Sequence, residues 1–160
     1  MISLKTLATT RFGYGLPAPE GAAQTPEEML ALLAGPDLMA QAFPIAGQAQ
    51  HLPALVAMRA LKGVQGTDAE LQALKKSMNK ALGEMVLTSM KHTFARAVDS
   101  PDGFRERLVA FWANHFSVVA RNTPEHQMPF SLVEDAIRPN LAGNFADLLT
   151  AATLHPAMLI

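Results

Sequence analysis

The sequence has 160 residues, of which 49% are hydrophobic and 17% are charged, with 13 Lys and Arg against 14 Asp and Glu. This length suits one domain, residues 1–160, and the composition excludes intrinsic disorder because the apolar fraction is ample for a core. The absence of Cys excludes disulfide frameworks, thiolate nucleophiles and Cys-ligated metal sites, and a formal net charge of −1 argues against binding nucleic acid by neutralising phosphates.

The first quarter of the chain predicts a short helix, a loop and a well-marked second helix. Residues 11–19 are rich in Gly and Pro, which is typical of a loop. Thr25 can cap the next helix, Pro26 suits its first position, and Glu28 can reach back to the cap. This helix is predicted to end at Gly35, and further apolar segments follow at residues 38–43 and 53–61.

The longest predicted helix begins at a second capping box, Thr67 to Glu70, and continues to about Val98. At about 1.5 Å per residue it is a rod of roughly 45 Å, long enough to span the domain. We interpret its basic side chains as a solvated helix face, with an anionic partner as the alternative. These side chains are Lys75, Lys76, Lys80, Lys91 and Arg96.

Three more helices are predicted in the C-terminal third. Ser100 begins a helix with an aromatic stripe, Ser131 begins one that ends at Pro139, and Asn144 caps the last. The chain contains no run in which β-branched and polar residues alternate. The sequence therefore predicts an all-α protein, a single irregular bundle of about seven helices with one long central helix.

Residues 111–116 are the densest cluster of unusual side chains and contain the only Trp. On a helix, Arg107 and Asn114 share a face and could converge on one anion or carboxylate. A functional interpretation makes His115 a general base or ligand, and Arg107 with Asn114 a substrate clamp. In the alternative interpretation His115 and Asn114 are buried, hydrogen-bonded structural residues and Trp112 fills the core.

Glu134 is the fourth candidate catalytic residue. It lies one helical turn before Arg138, where an exposed ion pair would contribute about a few tenths of a kcal/mol. Glu134 and Asp135 point about 100° apart on a helix, so the two carboxylates do not readily face one ion. The other His residues, at positions 51, 92, 126 and 155, lack metal-binding spacing. We therefore expect no metal ion and no cofactor.

Three parts of the chain resemble the bacterial DUF1800 family, whose domain has no known function. They are RFGYG at residues 11–15, RERLVAFWANHF at 105–116, and IRP, GNFADLL and HPAML between 137 and 159. Ala113 and Asn140 depart from the family pattern, in which His is common at both positions. The departures remove two imidazoles, which argues further against a metal site on these helices.

The resemblance implies a helical protein of several hundred residues with no established reaction, many of whose relatives are exported. It implies that this chain corresponds to the N-terminal part of such a protein, ending in an apolar run at residues 157–160. We therefore expect a structural or interaction part of a larger protein. Its partner would be the remaining C-terminal part or a second copy of the chain.

A second functional hypothesis is a hydrolase-like enzyme that acts on an anionic substrate through Arg107, Asn114, His115 and Glu134. Neither a signal peptide nor an apolar stretch long enough to span a membrane is evident in the sequence. The default expectation is therefore a cytoplasmic location, with no membrane span and no nucleic-acid partner.

Overall fold

The computed structural model describes residues 3–17, 19–62 and 69–159. Within these ranges the chain forms eight α-helices and no strand, which confirms the predicted all-α class. The helices are α1 (Leu4–Phe12), α2 (Pro26–Ala34), α3 (Leu38–Ala42), α4 (Gln48–Lys62), α5 (Ala69–Asp99), α6 (Gly103–His115), α7 (Met128–Leu132) and α8 (Phe145–Leu154). Within the same ranges, no helix is long and apolar enough to cross a membrane.

Helix α2 begins and ends through side-chain contacts with its backbone. The predicted capping box is present, since Thr25 Oγ1 accepts from Glu28 N at 3.2 Å and Glu28 Oε2 accepts from Thr25 N at 3.2 Å. At the other end Arg105 Nη2, from α6, donates to the carbonyls of Leu32, Leu33 and Gly35 at 2.8–3.0 Å. Arg105 thereby satisfies carbonyl groups that a helix end leaves without partners.

Helix α5 has 31 residues and is about 46 Å long, in agreement with the predicted central helix. The capping residues predicted at Thr67 and Asp68 lie outside the described residues. The assignment of Arg96 to a solvated basic face is wrong, because only 1% of its surface is exposed. Arg96 is buried because carboxylate and carbonyl oxygens satisfy its guanidinium, whereas Lys80 on the same helix stays exposed.

Three side chains of α5 hold the segment that follows α3 against this helix. Arg96 donates to Phe43 O, and His92 Nδ1 lies 2.6 Å from Pro44 O. Ser89 Oγ lies 2.9 Å from Gln127 Oε1, and the amide of Gln127 donates to Ala46 O at 2.8 Å. Positions 89, 92 and 96 are three or four residues apart, so they lie on one face of α5. This polar face positions the loop beside the candidate site.

Helix α4 begins at Gln48, five residues before the predicted apolar segment starts at Pro53. The reason is a long-range cap: Asp135 Oδ2 accepts from Gln48 N at 2.5 Å. Gly47 makes room for this contact, because a Cβ at that position would overlap the Asp135 carboxylate. A cap supplied from 87 residues away leaves no local pattern in the sequence.

Two predicted helix starts in the C-terminal half are wrong. Asp102, not Ser100, is the N-cap of α6, since its Oδ1 accepts from Arg105 N at 3.0 Å. Ser131 does not begin a helix, because it is buried inside α7 and its Oγ donates to Gln127 O at 3.0 Å. A proline in the first turn of α7 starts that helix three residues earlier. Asn144, in contrast, caps α8 as predicted.

The core lies where α6, α7 and α8 meet. After α7 the chain widens into a π-helical segment, Val133–Ile137, and then tightens into a 3₁₀ turn, Arg138–Asn140. Such irregular turns change the direction of side chains and are frequent at functional sites. Here they aim Glu134 at α5 and Arg138 at α6. The buried apolar cluster includes Leu33, Leu55, Val109, Phe116, Met128, Leu132, Ile137, Leu141, Leu148 and Ala152.

Candidate functional site

A cavity of about 240 Å³ lies between α5, α6 and the chain from α7 to the π-helical segment. Most of its wall is apolar, and one part carries four charged side chains. The charged residues are Arg96, Glu106, Glu134 and Arg138, and the apolar ones include Val109, Ala110, Ala113, Phe116, Phe130, Leu132 and Val133. An apolar cavity with a few convergent polar groups is the usual form of a small-molecule site.

Arg96 and Glu134 form the first half of the charged cluster. Nη1 of Arg96 donates to Oε1 of Glu134 at 2.6 Å, and Nη2 donates to Oε2 at 3.0 Å. Nε and Nη2 also donate to Phe43 O, at 2.9 and 2.6 Å. The guanidinium therefore has acceptors for all three of its nitrogens, which is the condition for burying a cation.

Arg138 forms the second half and is surrounded by three carboxylates. Nη1 donates to Asp37 Oδ2 at 2.7 Å, Nη2 donates to Glu106 Oε2 at 2.5 Å, and Nε lies 3.4 Å from Glu134 Oε1. The predicted pairing of Glu134 with Arg138 is therefore present. It is not the expected exposed pair, because both side chains are largely buried within a five-residue charged cluster.

The two carboxylates that bond Arg138 have pKa values shifted in opposite directions. Burial raises the pKa of Glu106, and the charge of Arg138 opposes this only in part. Burial also acts to raise the pKa of Asp37, but the hydrogen bond from Ala40 N and the charge of Arg138 together hold it below its usual value. Desolvation lowers the pKa of Arg138, whereas Glu106 and Asp37 raise it by more. Opposite shifts in neighbouring carboxylates are common at functional sites.

The four candidate catalytic residues lie in different surroundings. Glu134 lines the cavity, whereas Arg107, Asn114 and His115 do not. The guanidinium of Arg107 lies 3.7 Å from the centre of the Tyr14 ring, in a cation–π contact. Asn114 and His115 are exposed, so the interpretation of both as buried structural residues is wrong. Neither is buried because the side of α6 that faces the core is that of Arg105, Glu106 and Val109.

His115 belongs instead to a cluster of rings on the surface, which we call the aromatic patch: Phe111, Trp112, His115 and Phe145. Phe111 contacts Trp112 edge-on at 4.9 Å, and Trp112 stacks on Phe145 of α8 at 5.4 Å between ring centres. His115 lies 5.6 Å from Trp112 and 6.4 Å from Phe111. Phe111 is 58% exposed and Phe145 53%. Trp112 is only half-buried, so it joins the core to the surface rather than filling the core.

The sequence did not point to Arg96, Glu106 or Arg138 as residues of one site. They come from α5, α6 and the 3₁₀ turn, so their meeting depends on tertiary packing. One weak signal was available, since Glu106 lies three residues before Val109 and therefore on the same face of α6. Among the described residues, no group of three or more His, Asp or Glu side chains is placed to hold a metal ion.

Comparison with known proteins gives one match. Residues 7–160 match the family described as "Protein of unknown function (DUF1800)". No curated protein and no solved structure matches the chain. Because the family match covers nearly all of the sequence, this chain belongs to the DUF1800 family, which its three sequence segments resemble.

Proposed function

We propose that this chain is a protein-interaction domain and that its aromatic patch binds the same patch on a second copy of the chain. The observation that carries this proposal is the exposure of two phenylalanine rings, Phe111 and Phe145, on either side of the only tryptophan. Aromatic side chains are enriched at the centres of protein interfaces, where they contribute most of the binding energy. Rings that already pack on one another present a rigid surface, so little conformational entropy is lost on binding.

The charges around the patch favour a second copy as the partner. The ten residues of α8 include a single charged side chain, Asp147, and the neighbouring exposed positions of α6 are Ala110, Phe111, Asn114 and His115. This surface carries little charge, so two copies can meet through it with little repulsion, and the net charge of −1 adds little more. A two-fold axis would place each patch against its equivalent, as in most homodimers.

The hydrolase hypothesis receives less support from the geometry. Glu134 is held by Arg96, and the guanidinium of Arg107 is occupied by the Tyr14 ring. Asn114 and His115 lie on the surface of α6 rather than in the cavity. The hypothesis stays a prediction, and a hydrolytic activity that Asn114→Ala abolishes without loss of stability would favour it over the interaction domain.

Sedimentation equilibrium over a wide range of protein concentrations tests the proposed self-association. The mass should rise from 17.2 kDa at low concentration towards twice that value. Phe111→Ser should weaken association about tenfold or more, because it removes an aromatic side chain at the centre of the interface. Phe94→Ser is the matched control, since Phe94 is an exposed phenylalanine on α5 outside the patch.

Two results would contradict the proposal. A chain that remains monomeric at every concentration does not bind a second copy, and the aromatic patch would then be open to a segment of a larger protein. An equal effect of Phe94→Ser and Phe111→Ser would place the contact outside the patch.

A further inference from the structure

The cavity between α5, α6 and α7 is large enough for an organic molecule. Its volume is about 240 Å³, whereas a dry, apolar cavity of about 150 Å³ is enough to bind benzene. Val109, Ala113, Phe116 and Phe130 are among its lining residues and provide an apolar surface for a hydrocarbon or aromatic body. None of the four rings of the aromatic patch lines the cavity, although Phe116, which does, stacks on Trp112 of the patch at 5.7 Å between ring centres.

Glu106, which lines the charged part of this cavity, has one carboxylate oxygen without a hydrogen-bond partner among the described residues. Glu106 is 5% exposed, and while its Oε2 accepts from Arg138, its Oε1 accepts no bond. A buried carboxylate oxygen normally accepts hydrogen bonds, and leaving one without a partner is costly. An N–H donor on a bound molecule would satisfy it.

The charge of the cluster indicates which donor fits. Asp37, Glu106 and Glu134 carry three formal negative charges against two positive charges on Arg96 and Arg138, which leaves −1. Both terminal nitrogens of each guanidinium already donate to protein acceptors, and Nε of Arg138, which makes no hydrogen bond, faces the negative charge of Glu134 Oε1 at 3.4 Å. When Glu106 is ionised, the cluster therefore has a free acceptor and an excess negative charge, so it favours a cation and disfavours an anion.

We infer that this cavity is a binding site for a small organic amine, with the apolar body against the walls and the ammonium donating to Oε1 of Glu106. The ammonium balances the charge of the cluster and occupies the only acceptor there that is buried and unpartnered among the described residues. The site is thus selective for charge at one end and for apolar shape at the other. The ligand of this site is a cation, whereas the hydrolase hypothesis assumes an anionic substrate.

Benzylamine is a suitable probe. Benzoate and benzyl alcohol are its matched comparators, since all three molecules contain a phenyl ring and differ in the charge of the attached group. Binding is followed by titration of the amide signals of the labelled protein in two-dimensional NMR spectra. Benzylamine should shift the signals of residues around Val109, Ala113 and Phe130, and it should bind at least about tenfold more tightly than benzoate. The affinity of benzyl alcohol should lie between those of benzylamine and benzoate.

Two variants distinguish the effect of the Glu106 charge on binding from the effect of the cavity volume. Glu106→Gln should weaken the binding of benzylamine about tenfold or more and reduce the preference of the protein for benzylamine over benzyl alcohol. Ala113→Leu should weaken all three molecules, because the larger side chain fills part of the cavity while Glu106 is unchanged. Glu84→Gln, at an exposed position of α5, should leave binding as in the unaltered protein.

The inference is overturned if benzoate binds as tightly as benzylamine, if Glu106→Gln leaves benzylamine affinity unchanged, or if the shifted signals lie away from the cavity. If Glu106→Gln does not fold, Ala113→Leu and the order of the three affinities decide the matter. Absence of any benzylamine binding to the unaltered protein also overturns it.

Discussion

Arg96 and Glu134 face each other across the interior and share two hydrogen bonds, of 2.6 and 3.0 Å, that join the longest helix to the π-helical segment. The same guanidinium donates to Phe43 O, so three separate parts of the chain converge on one side chain. Only 1% of Arg96 is exposed. Most of its bonding is therefore protected from competition with water.

Replacing Arg96 by Met should destabilise the protein by about 3–5 kcal/mol, because Glu134 and Phe43 O lose a buried donor while the apolar volume is nearly kept. The free energy of unfolding, measured by urea denaturation, tests this. Lys80→Met on the exposed side of α5 is the control and should change stability by about 0.5 kcal/mol or less. A loss of under about 1 kcal/mol for Arg96→Met would show that the pair contributes little.

Gly47→Ala should cost about 1 kcal/mol, because its Cβ would force the Asp135 carboxylate away from Gln48 N and remove the cap of α4. Gly83→Ala is the matched control, since nothing lies within 4 Å of a Cβ there. It should stabilise α5 by about 0.5–1 kcal/mol.

Asp135→Ala provides the corresponding double-mutant cycle. Once Asp135→Ala has removed the cap, Gly47→Ala should add little further loss, so the two changes should be strongly non-additive. Full additivity of the two losses would mean that Gly47 is needed for a reason other than the Asp135 carboxylate.

Arg105→Lys should destabilise the protein by about 1–3 kcal/mol, since an ammonium cannot reproduce the planar fork that bonds Asp102 and the end of α2 together. Arg107→Lys, two residues later, should cost less than about 1 kcal/mol because a cation remains over the Tyr14 ring. Thermal unfolding of both variants makes the comparison. Equal losses would show that the three carbonyl contacts of Arg105 add nothing.

The raised pKa of Glu106 makes part of the stability depend on pH. The folded state holds the Glu106 proton more tightly than the unfolded chain, so this contribution is fully present below the ordinary pKa of 4.5. It is lost as the pH rises through the raised pKa. The free energy of unfolding of the unaltered protein, minus that of Glu106→Gln, should therefore decrease as the pH rises from about 4.5.

Asp37 serves as the control for the pH measurement because its pKa is lowered. Its contribution is present above the ordinary pKa of 3.8 and is lost as the pH falls through the lower folded value. Asp37→Asn should therefore remove part of the decrease in the free energy of unfolding that the unaltered protein shows as the pH falls below 3.8. A stability difference for Glu106→Gln that is constant or increases with pH would contradict the assigned direction.

Local patterns in the sequence predicted the structure where the responsible contacts are local. Thr25 and Asn144 cap their helices through neighbours two or three residues away, and the apolar spacing of α5 identified the longest helix. The patterns failed where a distant residue decides the outcome. Asp135 caps the start of α4, and Arg96 is buried because Glu134 and Phe43 O accept its hydrogen bonds. The residues in these contacts are 38 to 87 positions apart in the sequence.

The candidate site was only partly predictable for the same reason. Glu134 was identified because it pairs with Arg138 one turn later, but the burial of this pair depends on α5 and α6. The cluster of rings at residues 111–116 was recognised from composition. The exposure of Phe111 and His115 was not, because it depends on which face of α6 the core covers, and that face carries Arg105 and Glu106 rather than Phe111.

Trp112 is the only tryptophan and lies at the centre of the aromatic patch, so its fluorescence tests the proposed self-association most directly. If two patches bind each other, the emission maximum of Trp112 should shift to shorter wavelength as protein concentration rises, with the same midpoint as the increase in mass. Phe111→Ser should move that midpoint to higher concentration. A mass that doubles while the emission stays constant, or a chain that stays monomeric throughout, would contradict the account.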